Sequence, residues 1–180
     1  MLNLPARKIL RATLPLLLLA LCLTLNSCFF ILPSSGPTPV DPDNLGAEKT
    51  FEKVGITLRL TDKFKEEKSE MGFEAYYTSD FCGVVVLKEA FTLKEGLAEE
   101  PLEQYIQNVI QNNGHTNIEP RQRDGLWYYV NYNNSSYRCI YSYAYKGTDA
   151  FYVVQYIMND VDEDTLKDTI HEWAKATAVE

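Results

Sequence analysis

An α+β fold is predicted by three observations on this 180-residue chain: short runs rich in β-branched and aromatic residues, two longer stretches with one apolar face, and the order in which these alternate. The order reads βββ-α-ββββ-α, about six or seven strands and two helices, which points to a sandwich with an antiparallel sheet covered by helices.

Taken in order, the first three runs are GITLRL (Gly55 to Leu60), GFEAYYTS (Gly72 to Ser79) and FCGVVVLKEAF (Phe81 to Phe91). A charged loop from Thr61 to Met71 separates the first two, and a Ser79-Asp80 turn separates the next pair. A helix follows, because Leu102, Tyr105, Ile106, Val109 and Ile110 recur on one face, with Pro101 suited to its first turn and Gly114 to its end. The strands then resume as NIEPRQR, LWYYVNY, YRCIYSYAY and AFYVVQYIMN, separated by Asp124-Gly125, by Asn133 to Ser136 and by Lys146 to Asp149. Each separator is a turn signal of an antiparallel meander. The last element starts in acidic residues, which suit a helix N-terminus, and aligns Leu166, Ile170, Trp173, Ala174 and Thr177.

The amino terminus differs in kind. Arg7, Lys8 and Arg11 precede the apolar run Leu14 to Leu25, the layout of an export signal. That run is shorter than the roughly 20 residues of a spanning helix. Leu25, Asn26, Ser27 and Cys28 resemble the bacterial lipobox, Asn26 being the departure, and the resemblance implies diacylation of the Cys28 thiol and removal of residues 1–28 up to that cysteine. An uncleaved helical anchor continuing through Phe29 to Leu32 is the alternative. Two acyl chains hold a protein on a membrane where one does not, so the expected location is the cell membrane, with the domain on the extracytoplasmic side. Residues 29–50 hold Pro33, Pro37, Pro39 and Pro42 and read as a linker, and residues 51–180 as one domain. At about 3.1 Å per residue the roughly 18 residues from Phe29 to Gly46 span up to ~55 Å.

Without the signal, 14 of the 17 basic residues remain against 25 acidic ones, a formal charge of −11. That excludes nucleic acid as a natural partner. A domain of this size builds its own core and is expected to be a monomer.

Sites of chemistry are sparse. His115 and His171 are the two histidines, and His171, beside Glu172, reads as part of a solvated helix face. Asp160, Asp162 and Asp164 match the first, third and fifth positions of a calcium loop, but Thr165 stands where glycine is needed and His171 where a bidentate glutamate is needed. No cofactor, metal or catalytic set is expected. Cys82 and Cys139 allow two readings: a disulfide closing a loop worth about 4 kcal/mol, or two buried thiols. On YRCIYSYAY, alternation puts Tyr137, Cys139, Tyr141, Tyr143 and Tyr145 on one face. Tyr141, Tyr143 and Tyr145 are therefore either a binding face or core beneath a helix.

GITLRLTDKF, FCGVVVLKEAF, LEQYIQNVI, RDGLWYYVNY, DAFYVVQYIMN and HEWAKATA together resemble the PsbP-like fold superfamily, from Val54 to the carboxyl end. The resemblance implies that fold and, since its understood members mostly bind proteins, a non-catalytic interaction or ligand-binding module whose partner is an envelope protein or small ligand. The alternative is an envelope-acting hydrolase using an unrecognised carboxylate or cysteine site. A cleft with close carboxylates would favour the enzyme, and a shallow aromatic patch the binder.

Overall fold

The computed structural model describes residues 40–69 and 72–180. The export signal, Cys28 and the linker up to Pro39 lie outside the described residues, as do Glu70 and Met71.

The fold is α+β, built on two antiparallel sheets. The strands are β1 (Glu48–Lys53), β2 (Ile56–Thr61), β3 (Lys65–Glu66), β4 (Ala75–Thr78), β5 (Gly83–Ala90), β6 (Arg121–Arg123), β7 (Leu126–Asn133), β8 (Arg138–Lys146), β9 (Ala150–Asn159) and β10 (Ala178–Val179). The helices are α1 (Leu102–Asn112) and α2 (Glu163–Lys175). The larger sheet runs β3-β4-β5-β9-β8-β7-β6 and the smaller β1-β2-β10. Each predicted run forms its strand or helix. The additions are β1, β3 and β10, whose residues are mostly exposed and carry no apolar alternation.

The folded chain also begins earlier than the expected boundary at residue 51. Val40 and Leu45 pack against the core, Pro42–Asn44 forms a 3-10 turn capped by the Asp41 carboxylate, and β1 pairs with β2 from Glu48 opposite Thr61. Proline content marked this segment as linker, but proline is compatible with a first helical turn.

The order of layers follows from burial on both sides of the central strands. Strands β5, β9 and β8 have few exposed positions because each face is covered. One face, carrying Val84, Val86, Tyr141, Tyr143, Tyr145, Tyr152, Val154 and Tyr156, packs beneath α2 and the apolar side of β2. The other, carrying Tyr129, Ala144, Phe151 and Val153, packs beneath α1. Three layers result, with the large sheet in the middle.

The sheet has two distinct ends. At one lie the β7–β8 turn, the end of β9 and the start of α2. At the other lie the β8–β9 turn, the end of β5 and the chain terminus, where the Thr148 amide donates to the Glu180 carbonyl at 2.7 Å. The described chain begins at the first end, where the Val40 amide donates to Asp162 Oδ1 at 3.3 Å.

Candidate functional site

The tyrosine face is core. Tyr141, Tyr143 and Tyr145 are 7%, 1% and 6% exposed beneath α2, so the reading of them as an open binding face is corrected. Each of these three hydroxyls has found a partner, while the buried Tyr156 hydroxyl on the same face has none among the described residues. Tyr141 donates to Glu163 Oε1 at 2.6 Å, Tyr145 donates to the Ala174 carbonyl at 2.9 Å, and the Tyr143 hydroxyl meets His171 Nδ1 at 3.3 Å. Tyr137, expected on the same face, departs from it. It sits in the β7–β8 turn with φ 53° and is 71% exposed.

His171 is not on a solvated face. It is 1% exposed, and its Nε2 meets Asp124 Oδ2 at 3.1 Å, so a line of polar groups runs from Tyr143 through the imidazole to a half-exposed carboxylate. Asp124 reaches it from the Asp124-Gly125 hairpin turn, whose two residues have φ 50° and 83°. That pair is the two-residue turn in which Asp tolerates, and Gly prefers, the left-handed backbone. The line joins β6–β7, α2 and β8, and its Tyr143 end is sealed under Tyr128, stacked at 5.1 Å. It is therefore a structural tie with no nucleophile open to solvent. The neighbouring Glu172, which is exposed, hid this in the sequence; the spacing of His171 from Ile170 and Ala174 does not separate a helix edge from its buried face.

Cys82 and Cys139 are buried free thiols. Cys139 lies on β8 and Cys82 immediately precedes β5, on opposite sides of β9, with Cys139 opposite Met158 and Gly83 opposite Ile157. Two strand spacings put their backbones about 9–10 Å apart, beyond disulfide reach of ~7 Å, which corrects the candidate bond. Burial pushes both thiols up to about 12, so neither is a thiolate at neutral pH. Burial also lowers His115, which lies against Tyr129.

The acidic run is used internally. Asp162 is 3% exposed, accepting from the Val40 amide and the Asn159 side chain, and Asp160 and Asp162 form a 3-10 turn leading into α2. Among the described residues no group of three or more His, Cys, Asp or Glu side chains is placed to hold a metal ion.

Two solvent-open features stand out among the described residues. The first is a groove of about 490 Å³ at the β3–β4 edge, lined by Lys53, Glu66, Glu67, Lys68, Glu74 and Tyr76, with Ser69, Phe73 and Ala75 completing it. Lys53 pairs with Glu66, and Glu67 accepts from Thr78 Oγ1 at 3.3 Å. Burial, and then the Glu67 charge, raises the Tyr76 phenol. Carboxylates and ammoniums thus alternate around a partly aromatic floor. Sequence reading missed this groove because residues 66–69 lie in a charged loop that looked like solvated punctuation, while Lys53 and residues 73–76 come from elsewhere in the chain. The second is the end of the sheet where Tyr132, Tyr137 and Val161 stand 48%, 71% and 66% exposed.

An α+β domain with two covered sheet faces is the class these features define. The chain is similar to the solution structure of cyanobacterial PsbP (CyanoP) from Synechocystis sp. PCC 6803, at 13% identity and a TM-score of 0.49, over 83% of this chain and 99% of that one. It is similar also to the crystal structure of the Saccharomyces cerevisiae Ran-binding protein Mog1p, at 13% identity and a TM-score of 0.47, over 74% of this chain and 96% of that one. No family model matches the chain, and no curated protein matches it. Such likeness concerns the path of the chain and not its chemistry.

Proposed function

We propose that this chain is a membrane-anchored, extracytoplasmic lipoprotein whose monomeric domain binds an envelope protein or small ligand and performs no chemistry. The groove of Lys53, Glu66, Glu67, Lys68, Glu74 and Tyr76 carries this reading. Fixed charges of both signs around an apolar floor suit recognition of a segment that itself carries both, such as a polypeptide, and orient it by complementarity. Among the described residues, both thiols and His171 are spent inside the core.

A photo-reactive residue at Ser69 in the full tethered chain tests the groove, with one at exposed Glu119 as control. A discrete adduct at Ser69, lost in Lys68→Glu/Glu74→Lys, is expected. Unaltered capture in that variant, or adducts equal at both positions, would refute the groove. The anchor is tested separately by fatty-acid labelling, which Cys28→Ala should abolish.

A further inference from the structure

We propose that the sheet end carrying Tyr132, Tyr137 and Val161 faces the bilayer and seats these side chains among lipid headgroups; this rests on lipid attachment at Cys28. The three residues form one surface. The Tyr137 carbonyl accepts from the Asp160 amide at 3.0 Å, Val161 follows Asp160, and the Tyr132 hydroxyl donates to Glu163 Oε1 at 2.8 Å. Among the described residues they are three of the five large hydrophobic residues left exposed, while Val54, bonded to Tyr152, and Leu93, beyond the end of β5, lie toward the opposite end. Tyr137 is held in the left-handed backbone region, costly for an aromatic residue, with its ring turned to solvent.

The position of the chain supplies the occupant. Val40, the first described residue, is bonded to Asp162, next to Val161. The 11 residues from Phe29 to Pro39 separate it from Cys28, and no chain of that length reaches beyond about 43 Å. The tether therefore leaves the domain at the apolar end, and the far end is a further ~33 Å away along the 10-residue β9. Tethering keeps the local lipid concentration high, so a patch too small to recruit the protein unaided suffices to orient it. Tyrosine, with an apolar ring and a polar tip, suits the headgroup region. Asp160 and Asp164 flank the patch, which favours a zwitterionic surface over an anionic one.

The full lipidated chain in phosphatidylcholine vesicles decides this. A nitroxide is placed at Ser135→Cys, in the turn beside Tyr137, or at Lys94→Cys, beside Leu93; sealed Cys82 and Cys139 do not compete for label. The ratio of oxygen to nickel collision rates should be several-fold higher at Ser135 than at Lys94. It should fall to the Lys94 value in Tyr137→Asp/Val161→Asp, with the melting temperature unchanged. Equal, water-like ratios at both labels on vesicle-bound protein would overturn the proposal even if the double variant fails to fold. A Ser135 label that is water-like on vesicles but shielded in native membranes would assign the patch to a protein and overturn it equally. If the chain carries no lipid, the anchor reading fails, and the orientation that rests on it fails with it; mass spectrometry of Cys28 tells that outcome from the others.

Discussion

The two faces of the large sheet are made by the same alternation and are nevertheless different kinds of core. Beneath α2 the rings end in hydroxyls that find a carboxylate, an imidazole and a helix carbonyl. Beneath α1, where Tyr105 and Tyr129 also carry hydroxyls, the geometry that stands out is ring against ring, with Tyr105 stacked on Phe151 at 4.0 Å and Phe91 set edge-on to it at 5.2 Å. The comparison separates burial from polar matching. Both faces exclude water, and on the α2 face Glu163, His171 and the Ala174 carbonyl of the helix itself must stand at particular positions. That requirement fixes the rotation and height of α2 more closely than ring stacking by itself would.

The largest expected effects are equal on the two faces. Tyr143→Ala and Phe151→Ala each remove a fully buried ring and should destabilise the domain by about 3–5 kcal/mol, read from denaturant midpoints. A loss under about 1 kcal/mol at Tyr143 would mean that the ring is not core.

Alkaline pH should strike next. Cys82, Cys139 and Tyr77 are pushed up to about 12, burial being the main cause. A raised acid holds its proton longer folded than unfolded, so its contribution is complete below the unfolded value and drains away as pH rises toward 12. The melting temperature should fall across roughly pH 9 to 12, and both thiols should resist a disulfide reagent at pH 8 until the chain unfolds. Reaction of either in native protein at that pH would contradict its burial.

A finer contrast needs only one oxygen. Tyr143→Phe keeps the ring but leaves His171 Nδ1 without its partner, at a cost of about 1–2 kcal/mol. Substituting His171→Phe in the same background should make the hydroxyl loss nearly neutral, because the orphaned group is gone. Additive losses in the double variant would break the proposed pairing.

These contrasts also mark what was legible in the sequence. Alternation and turn dipeptides located the seven main strands, since period-two patterning is a direct consequence of strand geometry. Residues 162–178 disclosed an apolar helix face through Leu166, Ile170, Trp173 and Ala174, yet not that His171 belonged inside. A histidine is apolar enough to bury only if its two nitrogens are met, and its partners come from 28 and 47 positions away. The groove was illegible for the same reason, because Lys53 and Glu66 meet across two sheets. β1 and β10 escaped because β2 supplies the burial for their small sheet, leaving them mostly exposed and free of pattern.

The smallest expected effect probes how far the α2 face depends on charge. Tyr132 and Tyr141 both donate to Glu163 Oε1, at 2.8 and 2.6 Å. Burial, and then this carboxylate, raises both phenols well above their ordinary range, although the Tyr132 ring is 48% exposed, because its hydroxyl turns inward onto Glu163. Glu163→Gln keeps an accepting oxygen but removes the charge that shortens both bonds and favours the start of α2, so the loss should be about 1 kcal/mol. The sharper readout is optical. With the carboxylate gone, Tyr132 and Tyr141 should ionise at lower pH than in the wild type while remaining above exposed tyrosines, since burial is the larger cause. An unchanged phenol titration in Glu163→Gln would show that the hydroxyls are held by burial alone, and the α2 face would then differ from the α1 face by less than its hydrogen bonds suggest.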